Sequence, residues 1–383
     1  MKKTLIILII ILVIILILPA IGFTGWYFKE KKPMDIVILD KTVHSLDRVK
    51  HRSLTWVLAN SRIVKKDNKR KYYLRKDYYG FFPVKPLRSK QFRKNDFRLA
   101  ELIDLADNND ALYYADIYGV FFNDWYQGIN RSRRSRQLYG GMNNNDYLLL
   151  YEMNKRDKLT ILEYNSIDYP TAAFERYKVE ELFNFKTTGW TGRYYSSLDS
   201  ASAGMPLWMV DLYKKSTREP WTFKNAGIVL LRGENEILVL EEGTHLENAL
   251  PLIMTGQEVC DNYGLASQVA FDLTFDIIEP RDNKVLSNYK LQTTLEGDNL
   301  LDKHFLTNEF PAVIANQGDI RSVYFCGDFA TSNIPPWTAN FGSLNILKGL
   351  LYSKDDINDT RRFFWLYYRP LVSGLFNDYY NEL

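Results

Sequence analysis

Hydrophobic positions along this chain fall into three kinds of pattern. The first is an uncharged run over residues 4–28, TLIILIIILVIILILPAIGFTGWYF. A bilayer takes ~20 such residues as a helix. A cleaved signal peptide would have a shorter apolar region and small residues at its cut, and Leu18-Pro19-Ala20 is a poor cut site. The run therefore predicts a retained transmembrane helix, with Trp26 and Tyr27 at the interface. The second kind is the short apolar run typical of a strand covered on both faces. Ile36 to Leu39, residues 78–84, residues 111–122, Leu159 to Glu163 and residues 321–326 belong here. The third is helical spacing, over 46–60, 97–106, 144–153, 171–182 and 340–352.

The stretch 138–183 joins these patterns most densely. Gly140-Gly141 supply a turn, and Asn144 or Asn145 is the expected cap of the next helix. The buried strand at Leu159 follows, then a tight turn at Glu163-Tyr164-Asn165. A last helix has Phe174, Tyr177, Val179 and Leu182 as its apolar positions. Residues 187–198, TTGWTGRYYSSL, read as a loop over the sheet. Two hairpins are expected beyond it, one over 227–240 and an amphipathic one joining 269–278 to 285–294. The apolar C-terminal run 363–376 is too short to span a membrane and fits core packing. The expected domains are an anchor at 1–28, a linker at 29–34, and one α/β domain at 35–383 with a β-rich insertion near 221–320.

Composition narrows the function classes. Hydrophobic content of 46% and charged content of 25% describe a folded domain rather than disorder. A net charge of +3 makes no general demand for nucleic acid. Basic residues concentrate between Arg48 and Arg98, and again in the loop 130–136. The first run suits a solvated face, anionic headgroups beside the anchor, or a polyanionic glycan. Only Cys260 and Cys326 occur, and the four histidines are scattered, so neither a disulfide framework nor a metal centre is expected. No cofactor is expected either, since the sequence has no G-x-G-x-x-G and no Walker A motif.

The candidate chemistry gathers at predicted strand ends. In open α/β sheets, sites form beyond the carboxyl ends of the strands. Asp40, Asp116, Glu163 and Asp328 all fall there. Glu163, Asp116 and Asp328 are the candidate catalytic acids, since two carboxylates with separated pKa values act as acid and base. Asp40, Lys41, Gly140, Gly141 and Asn165 are candidate ligand contacts. Trp190 and Arg193 are a candidate wall, one to stack and one to hold a carboxylate or phosphate.

The order strand, Gly-Gly turn, helix, strand, sharp turn, helix resembles the class I glutamine amidotransferase-like fold, a flavodoxin-like three-layer sandwich. In that family the Gly-Gly turn helps form an oxyanion pocket and the sharp turn carries a nucleophilic cysteine. By position, Gly140-Gly141 match the first and Glu163-Tyr164-Asn165 the second. No cysteine lies before residue 260, so the nucleophile is missing. The family's late His-x-Glu pair is missing too; His245-Leu246-Glu247 has that spacing but follows a hairpin. The resemblance is similar to non-catalytic, membrane-associated members in bacterial envelope complexes. It implies binding of a ligand or partner in the bacterial envelope, an envelope glycan or another protein; the apolar run and the short MKK start give the expectation of a single-pass inner-membrane protein with its soluble part outside the cytoplasm. The alternative is a carboxylate-dependent hydrolase or transferase acting on an envelope glycan.

Overall fold

The computed structural model describes residues 12, 17–126, 135–342 and 351–383. Most of the N-terminal apolar run, most of the basic loop 130–136 and most of the expected helix 340–352 lie outside the described residues. The described end of the first run is the helix Leu18–Tyr27. No described helix is long and apolar enough to cross a membrane.

Two sheets organise the domain. Their strands in chain order are β1 (Ile36–Asp40), β2 (Tyr79–Pro83), β3 (Phe92–Asn95), β4 (Ala111–Asp116), β5 (Leu159–Glu163), β6 (Lys186–Tyr195), β7 (Gly227–Arg232), β8 (Glu236–Glu241), β9 (Leu246–Thr255), β10 (Gln268–Ala270), β11 (Thr274–Glu279), β12 (Lys284–Thr293), β13 (Glu309–Ala315) and β14 (Ser322–Phe325). The ten-stranded sheet runs β10-β9-β12-β13-β14-β5-β4-β1-β2-β3, and the four-stranded sheet runs β8-β7-β6-β11.

The middle of the large sheet, β14-β5-β4-β1-β2, is parallel. Counted along the chain, its strands lie in the order 2-1-3-4-5. That order belongs to doubly wound sheets, which bind ligands where it reverses, between the first and third parallel strands. Here these are β1 and β4, which end in Asp40 and Asp116. Every residue of β1, β4, β5 and β14 is buried, as their continuous apolar runs require.

Helices cover the sheet. Arg52–Asn60 buries Leu54, Trp56, Val57 and Leu58. Asn144–Lys155 is capped by Asn143, one residue before the expected cap. The reason is a capping box: Asn143 accepts the amides of Asn145 and Asp146, and Asp146 accepts the amide of Asn143. In Ala173–Phe183 the buried positions are Val179 and Phe183, while Phe174 and Tyr177 face solvent. Residues 363–376 are core: Phe363, Phe364, Trp365, Tyr367, Tyr368, Leu371 and Phe376 are all buried. Cys260 and Cys326 are buried and unpaired.

Two expectations fail. Residues 187–198 are not a loop, since most of them form β6 in the middle of the four-stranded sheet. Its glycines hid it, and at least one is there for packing: a Cβ on Gly192 would lie 2.3 Å from the Phe275 ring. The second hairpin does not exist. β11 pairs with β6, whereas β12 pairs with β9 and β13, so the turn at residues 280–283 carries the chain from one sheet to the other. Each strand buries side chains against a different neighbour, and local alternation cannot distinguish that from pairing with one another.

Candidate functional site

The four strand-end acids do reach one edge of the large sheet, and each is taken up by partners within the fold. Asp40 Oδ2 lies 2.6 Å from His51 Nδ1, and Asp40 Oδ1 accepts the Thr42 amide at 2.9 Å. His51 Nε2 lies 3.0 Å from the Leu74 carbonyl, so both ring nitrogens face acceptors. Lys41 folds inward. Its Nζ lies 2.6 Å from Asp146 Oδ2 and 3.0 Å from the Gly141 carbonyl, with both charged side chains buried. This pair ties the end of β1 to the first turn of the helix Asn144–Lys155, where an acid also suits the helix dipole.

Glu163 is fully buried beneath the edge. Tyr113 donates to it at 2.5 Å, and the amides of Phe329 and Ala330 donate at 2.9 and 3.0 Å. Burial, reinforced by Asp328, pushes its carboxyl well above the usual range, against the pull of these hydrogen bonds.

Lys50 joins Asp116 and Asp328. Its Nζ is 3.1 Å from Asp116 Oδ2 and 2.5 Å from Asp328 Oδ2. Asn165 Nδ2 adds a 2.8 Å bond to Asp116, the Tyr118 amide one at 2.9 Å, and Thr42 a short hydroxyl bond. Thr331 donates to Asp328. Burial lifts Asp116 to about 6, with Asp328 and Asp40 adding to the rise and Lys50 opposing it. Burial alone would lower the Lys50 ammonium. The two carboxylates reverse that and hold it above its ordinary value, so it stays charged.

A cleft of about 430 Å³ opens over this edge. One wall is the sheet edge, through Thr42, Lys50, Asp116, Tyr164 and Asn165. The facing wall is the outer face of the four-stranded sheet and its helix Leu207–Thr217, through Thr191, Arg193, Val229, Leu231, Trp208 and Met209. Tyr118, Phe121 and Tyr169 close one side. Arg193 is exposed, rests over the Tyr195 ring at 5.4 Å, and makes no ion pair among the described residues. Among the described residues no three His, Cys, Asp or Glu side chains are placed to hold a metal ion.

Of the sequence-predicted site residues, Asp116, Asn165 and Arg193 line the cleft. Asp328 touches it only through Lys50. Asp40, Lys41 and Glu163 sit beneath it in internal contacts. Gly140 and Gly141 shape a turn rather than a wall: the Gly141 amide donates to the Ile117 carbonyl at 2.7 Å, and a Cβ on Gly140 would meet the Tyr118 carbonyl at 2.4 Å. Trp190 is buried on the opposite face of β6 from Arg193, edge-on to His304. Alternation along the strand puts neighbours of odd spacing on opposite faces.

Lys50 was not singled out in the sequence. It lay inside a basic run that reads as a solvated face, and nothing in the local sequence set it apart from that run. Trp208 and Tyr169 carried no signal, because what makes them cleft walls is the packing of the second sheet.

No family model matches the sequence, and no curated protein matches it. Among solved structures, a protein from Bacteroides uniformis described as ThuA-like is similar, with a TM-score of 0.34 and 10% identity, over 87% of this chain and 97% of that one. So loose a superposition carries no functional inference. The mixed α/β assignment rests on the sheet order described above.

Proposed function

We propose that this chain is a non-catalytic binding protein of flavodoxin-like, amidotransferase-like architecture. Its cleft takes a small polar ligand bearing a carboxylate or phosphate, and its N-terminal apolar run holds it at a membrane. One observation carries the reading. Every strand-end acid is engaged inside the fold, while Arg193 on the facing wall is exposed and has no carboxylate partner among the described residues. A guanidinium so placed suits bidentate capture of an anion, with Trp208 and Tyr169 beside it for an apolar or ring face. The 2-1-3-4-5 order supports the architectural part. Loss of amidotransferase chemistry is supported by the absence of any cysteine before Cys260 and by the Gly141 amide, which already has an acceptor. The ligand source this reading takes is an envelope glycan or a protein partner outside the cytoplasm.

A second reading, a carboxylate-dependent hydrolase or transferase acting on an envelope glycan, is favoured by one fact: Asp116 lines the cleft and is lifted to about 6, near the range of a working acid. The test is a thermal-shift screen of the full chain against neutral sugars, sugar acids and sugar phosphates. Mass spectrometry of each mixture follows. The binding reading expects a shift with an anionic compound and no new product. A product that forms with wild type and disappears in Asp116→Asn would replace it with the second reading.

A further inference from the structure

A second surface lies where the N-terminal helix leaves the domain. The helix Leu18–Tyr27 is fixed there: Trp26 Nε1 donates to the Ala59 carbonyl at 2.9 Å, the Gly342 amide to Gly22 at 2.9 Å, and Arg62 Nη2 to Tyr27 at 3.0 Å. Its exit therefore has a set place on the domain. Cations gather around it. Lys31, Arg62, Lys69 and Lys71 line a cavity of about 140 Å³ beside Trp26. Lys71, Arg75 and Lys76 line a wider groove of about 470 Å³ with Tyr73, Pro336 and Asn340. Lys71 and Ala59 border both, so the two are continuous.

Among the described residues, Lys69, Lys71, Arg75 and Lys76 form no ion pair. Of the acids nearby, Asp77 is held by Arg70, and Glu30 and Asp67 are exposed. Large apolar side chains stand open beside these cations: Phe28 is 78% exposed, Trp337 66% and Tyr27 57%. Trp337 belongs to the short helix Pro336–Asn340, whose two ends line the groove.

We infer that this face rests on a bilayer and that Lys69, Lys71, Arg75 and Lys76 take the headgroups of anionic phospholipids. Cations that lie within the reach of a charged leaflet each add to docking, and aromatic side chains settle at the headgroup level. The open rings decide between polyanions: nucleic acid or a soluble polyanionic glycan satisfies the cations but gives Phe28 and Trp337 no apolar surroundings. Docking at this face fixes the orientation of the domain relative to the membrane. The inference rests on reading the N-terminal run as an anchor.

The test uses the full chain reconstituted in nanodiscs of phosphatidylcholine alone and of phosphatidylcholine with phosphatidylglycerol. Amide hydrogen exchange is followed over residues 69–76 and 336–341. The expected result is protection of both segments in the anionic discs only, lost at high salt. In the triple variant Lys71→Gln, Arg75→Gln, Lys76→Gln, the docking equilibrium should fall by roughly fivefold per charge. Equal exchange in the two kinds of disc, with the chain inserted in both, overturns the docking inference and leaves the anchor reading standing. A chain that enters neither disc overturns both. Exchange around the cleft, over 191–195, should not differ between discs, so failure of the ligand-binding proposal reads out separately.

Discussion

The two walls of the cleft are built on opposite plans. On and beneath the sheet-edge wall Asp40, Asp116, Glu163 and Asp328 all meet His51, Lys50, Tyr113 or backbone amides at hydrogen-bond distance. On the facing wall Arg193 stands exposed over an aromatic ring. The first wall puts acids where a doubly wound sheet gathers its ligands, yet each already meets partners within the fold. The second has a guanidinium without an ion pair among the described residues, on a sheet that lies outside the parallel core. On the binding reading proposed above, the strand-end acids serve the fold and recognition falls to the added sheet.

Substitutions should separate the walls, beginning with the largest effect. Lys41→Met strips the buried Asp146 carboxylate of its cation, and a broken buried pair costs about 3–5 kcal/mol. Urea denaturation of the chain should show that loss; a loss within error would mean the pair is solvated. Glu163→Ala leaves the Tyr113 hydroxyl and two amides without their acceptor, at about 3 kcal/mol, and the same denaturation measures it.

Asp276 gives a smaller, pH-dependent effect. It is buried, accepts from Tyr324 at 2.6 Å, and its Oδ1 has no hydrogen-bond partner among the described residues. Burial lifts it to about 8 from 3.8. A carboxyl raised on folding favours the folded state while it is protonated, so this contribution is full below about pH 4 and is lost as pH rises through 8. Asp116, lifted to about 6, acts in the same direction over a narrower window. Asp276→Asn should therefore flatten the fall in stability between pH 4 and 8, measured as Tm against pH. A profile unchanged by the substitution would remove Asp276 as its source. The smallest stability effect belongs to the other wall: Arg193→Ala should stay within about 0.5 kcal/mol of wild type in denaturation, as exposed positions do, while ligand binding weakens.

Much of the parallel core was legible in the sequence, because β1, β4, β5 and β14 are buried on both faces and read as unbroken apolar runs. β6 was not, since Gly189, Gly192 and its threonines resemble a loop, and the crossover from β11 to β12 resembles a hairpin from within. The strand-end acids were legible for the same reason as their strands. Their partners were not: Lys50 meets Asp328 across 278 residues of sequence, a contact that only the pairing of β14 with β5 creates. The facing positions of Trp190 and Arg193 depend on β6 being a strand at all, so a loop reading placed them together.

The most direct test of the division between the walls is calorimetric titration of an anionic ligand from the screen into wild type, Arg193→Ala and Glu163→Gln. If recognition sits on the added sheet and the buried acid serves the fold, affinity should fall at least tenfold in Arg193→Ala, about 1.4 kcal/mol, and hold in folded Glu163→Gln. Full affinity in Arg193→Ala, with binding lost in a Glu163→Gln chain that remains folded, would contradict the account.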